Sequence, residues 1–168
     1  MAERGPADGA MEVRRGVYVL STDPARLDLD VIHEFLANSY WGEGITRQTI
    51  ARSIAGSMSF GLYHVTAEGE RQVGLARVIT DRATFAYLSD VFVLEAHRGR
   101  GLGVWLIETI VAHPELQGLR RWALVTRDAH SLYRRFGWTA PANPSGWMER
   151  LPPGRYGRDR EPASQETE

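Results

Sequence analysis

The chain has 168 residues, enough for one domain with a sizeable core. Hydrophobic residues make up 43%, charged residues 24%, and the formal net charge is -1, which argues against nucleic-acid binding through bulk charge while leaving room for a local basic patch. No cysteine is present, so disulfides, thiolate zinc sites and a cysteine nucleophile are excluded.

Met1 to Ala10 is polar and Gly-rich and has no apolar h-region, so no secretory signal is expected there. The longest apolar runs fall far short of a membrane span, and a soluble, cytoplasmic protein is the expectation. Residues 1–12 and 152–168 read as flexible tails around one domain, 13–151. The second tail contains Pro152, Pro153 and Gly154 and little that is apolar, so it cannot repay its ordering entropy.

Within the domain, Val17 to Ser21 is a short β-type run. Asp28 reads as an N-cap, followed at helical spacing by Leu29, Ile32, His33, Leu36 and Tyr40. A turn at Gly42 to Gly44 leads to Thr46, and Ile50, Ile54 and Met58 mark a second short helix. Phe60 to Thr66 and Val73 to Thr80 flank Glu68-Gly69-Glu70, a hairpin turn. Thr84 to Val93 is a third strand. Strict alternation would put Tyr87, Ser89, Val91 and Val93 on one face and Ala86, Leu88, Asp90 and Phe92 on the other. Leu102, Trp105, Leu106 and Ile110 mark a helix, Trp122 to Thr126 a short strand, and Asp128 to Phe136 a helix stopped at Gly137. Trp138 to Thr139 and Trp147 to Leu151 close the domain as β-type runs. The fold class is α/β: a mixed sheet flanked by helices.

The most informative segment is the turn between the third strand and the next helix, Arg98-Gly99-Arg100-Gly101-Leu102-Gly103. Strand, glycine turn and helix together suit an anion. The helix N-terminus offers unpaired N–H groups and partial positive charge, glycines let amides approach closely, and arginines add donors. A Walker loop would need Gly-Lys followed by Ser or Thr, which is absent. A G-x-G-x-x-G fingerprint fails from Gly99, where the third place is Val104, and from Gly101, where it is Leu106. An ordinary Gly-rich loop with solvated arginines is the bland alternative.

The spacing Arg98-x-x-Gly101-x-Gly103 resembles the acetyl-CoA signature of the GNAT superfamily, Gln/Arg-x-x-Gly-x-Gly/Ala. Downstream, Ser131-Leu132-Tyr133-Arg134-Arg135-Phe136-Gly137-Trp138 resembles the family's tyrosine-bearing helix that ends before Gly-aromatic. The resemblance spans roughly residues 17–151. It implies a mostly antiparallel, splayed sheet flanked by helices. It also implies acetyl-CoA as co-substrate, with Val91, Phe92 and Val93 offering backbone groups and Arg98, Gly99, Arg100, Gly101 and Gly103 holding the diphosphate. Tyr133 would assist the departing sulfur, against the reading of a core tyrosine with its hydroxyl at the rim. Many family members carry Asn before that helix. Here the run is Thr126-Arg127-Asp128-Ala129-His130, where Asp128 reads as a helix cap.

Without a cysteine, direct attack by an amine in a ternary complex is the expected route. Family members often place Glu or His where this chain has Tyr87 and Ser89. Those two residues would hold a water that relays the proton, and Asp90 is either a base or a hydrogen-bonded strand carboxylate. Tyr40, Trp41 and Glu43 are candidates for an acceptor pocket, or aromatic core plugs beside a glycine turn. Arg77, mid-strand, either needs a carboxylate partner, which a substrate would supply, or lies on an exposed face. His33 and His64 read as structural, His97 and His113 as solvated, and no His/Asp/Glu spacing suggests a metal. The expected partners are acetyl-CoA and a small primary amine, without nucleic acid or membrane, and a homodimer is compatible with this. A protein N-terminal or lysine acetyltransferase and a non-catalytic acyl-CoA-binding module are the alternatives.

Overall fold

The structure, a computed structural model, describes residues 9–151, so most of the two expected tails lies outside the described residues. Its sheet has six strands in chain order: β1 (Glu12–Arg15), β2 (Tyr18–Ser21), β3 (Met58–Thr66), β4 (Gly69–Thr80), β5 (Phe85–Val93) and β6 (Arg121–Ala123). Neighbours are antiparallel except β5 and β6, which are parallel. The helices are α1 (Leu29–Ala37), α2 (Arg47–Ala55), α3 (Leu102–Val111) and α4 (His130–Arg134). No described helix is long and apolar enough to cross a membrane.

The helix starts follow their caps. The Asp28 side chain accepts from the N–H groups of Asp30 and Val31, and the Thr46 hydroxyl accepts from Thr49 N–H. Each face of the sheet then buries its own stripe. On one face, Leu102, Trp105, Leu106, Ile107 and Ile110 of α3 pack on Phe60, Leu62, Val78, Ala86 and Leu88. On the other, Ile32, Leu36 and Ile50 of α1 and α2 pack on Leu75 and Phe92.

Several expectations are corrected. β1 was not anticipated, because Glu-Val-Arg-Arg carries almost no apolar signal; it forms by pairing with β2 around Gly16 at φ +59°. Met58 opens β3 instead of closing α2. β6 and α4 are shorter than expected, and Asp128 caps nothing: α4 starts after Ala129, whose N–H is taken by the Thr126 hydroxyl. Trp138 to Thr139 and Trp147 to Leu151 form no strand. Pro141 and Pro144 interrupt that stretch, and β-type composition without a partner strand does not make a sheet. His113 is buried, not solvated: its Nδ1 accepts from Glu115 N–H and its ring meets Phe60 edge-on. His97 is half-buried and hydrogen-bonded to the Tyr18 hydroxyl at 3.0 Å.

The alternation read along β5 also breaks. The register runs Arg77↔Ser89 and then Leu75↔Phe92, so β5 carries one residue more than β4 across that step. Asp90 sits there at φ +52°. Ala86 and Leu88 therefore share the α3 face with Val91 and Val93, while Phe92 turns to α1 and α2.

Candidate active site

β5 and β6 pair only over Phe85–Tyr87 and Arg121–Ala123, after which the two strands diverge. The rest of β5 presents an edge with no described strand partner. Leu94 N–H donates to the Val73 carbonyl at 2.8 Å, which fixes the alternation of backbone groups beyond the bulge. The N–H groups of Val91 and Val93 consequently turn away from β4, toward the gap, and that of Phe92 turns to β4. Arg98 Nε donates to the Val93 carbonyl at 2.9 Å and so ties the glycine turn back to this edge.

The turn enters α3 through Gly99 at φ +74° and Gly101 at φ +73°, conformations that a side chain disfavours. Gly101 is the N-cap and supplies no side-chain hydrogen bond, so the first amides of a ten-residue helix are left for another acceptor. A Cβ placed at Gly99, Gly101 or Gly103 would meet nothing within 4 Å. These positions are bare toward open space; packing inside the protein does not require it.

Edge and turn line one cleft of about 820 Å³, together with Phe35, Tyr40, Trp41, Arg127 and Tyr133. Of the residues singled out from sequence, Tyr40, Trp41, Val91, Phe92, Val93, Arg98, Gly99, Gly101, Gly103 and Tyr133 share this lining. Arg100, Glu43, Arg77, Tyr87 and Ser89 are outside it. Tyr87 and Ser89 lie before the bulge on the α1–α2 side of β5, Glu43 is exposed in the loop between α1 and α2, and Arg77 is paired with Asp90 at 2.8 Å.

Tyr133 is buried among Leu102, Trp105 and Leu106, with Trp138 edge-on at 5.9 Å between ring centroids. Among the described residues nothing hydrogen-bonds its hydroxyl. Burial, with smaller contributions from Tyr40 and Asp128, pushes the phenol up to about 12, so it stays protonated throughout the neutral range.

Two contributors carried no usable sequence signal. Phe35 stacks on Phe92 at 4.0 Å and supports Trp41. The Arg127 guanidinium carbon lies 3.8 Å from the Tyr40 ring centroid, and the Arg127 backbone N–H donates to the Tyr40 hydroxyl at 3.2 Å. The contact joins residues 87 apart in sequence and straps the α1–α2 loop to the segment before α4.

The sequence profile of the family described as "Acetyltransferase (GNAT) domain" matches residues 59–140. A "putative acetyltransferase" of Gibberella zeae is 36% identical over 138 residues, covering 71% of this chain and 77% of the relative. The crystal structure of a "putative acetyltransferase belonging to the gnat family" from Xanthomonas campestris pv. campestris is 48% identical, with a TM-score of 0.77 over 84% of this chain and 97% of that one. A GNAT family acetyltransferase from Elizabethkingia anophelis, solved with acetyl-CoA bound, shares the fold at 10% identity, with a TM-score of 0.54 over 73% of this chain and 76% of that one.

Proposed function

The chain belongs to the GNAT acetyltransferase family, and from that premise we propose that it moves an acetyl group from acetyl-CoA to a primary amine of a small molecule by direct attack in a ternary complex. The observation that carries the reading is the single cleft in which a bare strand edge, an uncapped helix start behind three glycines, and a buried protonated phenol converge. The open Cβ positions at Gly99, Gly101 and Gly103 fit a bulky anion held against backbone amides.

The thioester supplies an activated acyl carbon, and the rest is the work of this chain. The glycine turn and Arg98 hold the diphosphate, with Arg100 adding charge from outside the lining. The Val91 N–H orients and polarises the acyl oxygen as a preorganised donor, and the Val93 N–H, one strand repeat further on, holds the coenzyme arm behind it. Tyr133 donates a hydrogen bond to the departing sulfur. A phenol near 12 surrenders its proton unfavourably to a thiolate whose conjugate acid lies near about 8.5, so hydrogen bonding, not full proton transfer, is its role. The amine enters from the α1–α2 side, where Tyr87 and Ser89 hold the water that takes its proton. Tyr40 and Trp41 wall the acceptor, and Glu43 attracts it as an ammonium before it deprotonates.

A compact acceptor is supported by the Tyr40–Arg127 strap, which joins the α1–α2 loop to the segment before α4 within the cleft lining, where an extended peptide would need an open groove. The test is an acceptor screen with acetyl-CoA, read as free thiol, over small amines, amino acids and lysine peptides. Turnover with small amines is expected. Preference for peptides would overturn the acceptor class, and tight acetyl-CoA binding without turnover on any amine would reduce the protein to a binding module.

A further inference from the structure

The bulge in β5 is held by a pair of residues that do not line the cleft. Asp90 occupies the left-handed region at φ +52°, sparsely populated for residues other than glycine. Its carboxylate accepts from Arg77 Nε at 2.8 Å, and both side chains are only 12% exposed. Arg77 faces Asp90 across the irregular register step, with the Ser57 hydroxyl 3.5 Å from its Nη1. On the far side of the step, β4 approaches so closely that a Cβ at Gly74 would lie 2.7 Å from the Phe92 carbonyl oxygen. The extra residue is thus clamped from both ends.

The clamp has a directional consequence. With Asp90 inserted, Val91 and Val93 present their N–H groups to the gap beside β5; without the insertion the alternation from Ser89 onward would carry them to β4. We propose that Arg77 and Asp90 are positioning residues: the ion pair pins Asp90 in its left-handed conformation and thereby aims the Val91 N–H at the acyl oxygen. The inference rests on the acetyl-transfer reading above and deepens it by naming what holds the oxyanion donor in place. Neither residue touches the reacting atoms or carries the amine's proton.

The test uses the full chain and four variants: Asp90→Ala, Asp90→Asn, Arg77→Met, and the double variant Arg77→Met with Asp90→Gly. The double variant leaves no unpaired buried charge, and glycine accepts the φ at Asp90, so the fold has no reason to fail. Leu94 N–H on the Val73 carbonyl holds Val93 in place, so loosening the clamp misdirects chiefly Val91 and predicts a kcat about 10- to 100-fold lower in Asp90→Ala, Arg77→Met and the double variant, with KM for acetyl-CoA within about twofold of wild type. Asparagine tolerates the left-handed region and still accepts from Arg77 Nε, so Asp90→Asn should recover to within about fivefold of wild type. In ligand-free protein, the Val91 and Val93 amide resonances should shift in Asp90→Ala and return toward wild type in Asp90→Asn. Near wild-type kcat in the double variant would overturn the proposal. So would an Asn variant as impaired as the Ala variant, because that is the signature of a carboxylate acting on a proton. If wild type turns over no amine, the acetyl-transfer reading fails, and unmoved amide resonances in Asp90→Ala would separately sink the clamp.

Discussion

Single residues separate ligand binding from packing most cleanly. Gly103 has ordinary helical geometry inside α3 and open space where a Cβ would stand, so Gly103→Ala should stabilise the free protein, by up to about 1 kcal/mol. Alanine is accepted at this place of the family signature, so CoA affinity measured by calorimetry should hold within about threefold in Gly103→Ala, whereas the bulkier Gly103→Val should lower it by about tenfold or more, each tenfold being about 1.4 kcal/mol. Gly101→Val should also abolish binding, but its φ of +73° strains the backbone as well, which makes it the less specific probe. Tyr133→Phe removes a hydroxyl that no described group hydrogen-bonds, so melting temperature should hold or rise slightly. Steady-state kinetics should show kcat down by about 10- to 100-fold with acetyl-CoA KM nearly intact, the mark of an interaction made in the transition state. An unchanged kcat with chemistry rate-limiting would reduce Tyr133 to a packing residue.

Among the elements, the α1–α2 loop would govern the acceptor under the proposed function. Trp41→Ala and Glu43→Gln should raise KM for the best amine several-fold while leaving KM for acetyl-CoA nearly unchanged; unchanged amine KM in both would move the pocket elsewhere. The elements were legible in the sequence wherever a local signal decided them. Asp28 and Thr46 announce α1 and α2, the Arg98-x-x-Gly101-x-Gly103 spacing announces the glycine turn into α3, and Gly137 at φ +88° ends the α4 segment. What was not legible depends on partners distant in the chain. β1 is polar and exists through β2. The insertion at Asp90 is silent, because Ser-Asp-Val-Phe alternates as well as any regular strand, and only Arg77 across the sheet reveals it. Trp147 to Leu151 misled for the converse reason: the composition suits a strand, but no strand lies beside it.

At the scale of the molecule, two histidines make stability pH-dependent. Burial holds His113 below the ordinary imidazole range, with Glu115 pulling the other way and Arg82 adding to the depression. Burial, then His64 and Arg100, does the same at His97. Both are neutral in the folded protein at pH 7. As pH falls through the unfolded value near about 6.5, the unfolded chain takes up protons that the folded chain refuses, so stability drops on acidification and levels off once the folded state protonates. Melting temperature should therefore be lower at pH 5.5 than at pH 7.5. His113→Asn, which keeps an acceptor for Glu115 N–H, should flatten part of that slope. Identical slopes in the two proteins would assign the pH dependence to other groups.

The early parting of β5 and β6 makes the fold incomplete by one strand's worth of hydrogen bonds. Under the proposed function, an amide-bearing arm of coenzyme A laid along Val91 and Val93 would fill that place as a temporary seventh strand, so the ligand would count as secondary structure as well as substrate. Coenzyme A at about 100 times its dissociation constant would add about 2.7 kcal/mol to the folded state. The gain should be concentrated in slowed amide exchange at Val91 and Val93, where an edge has become an interior.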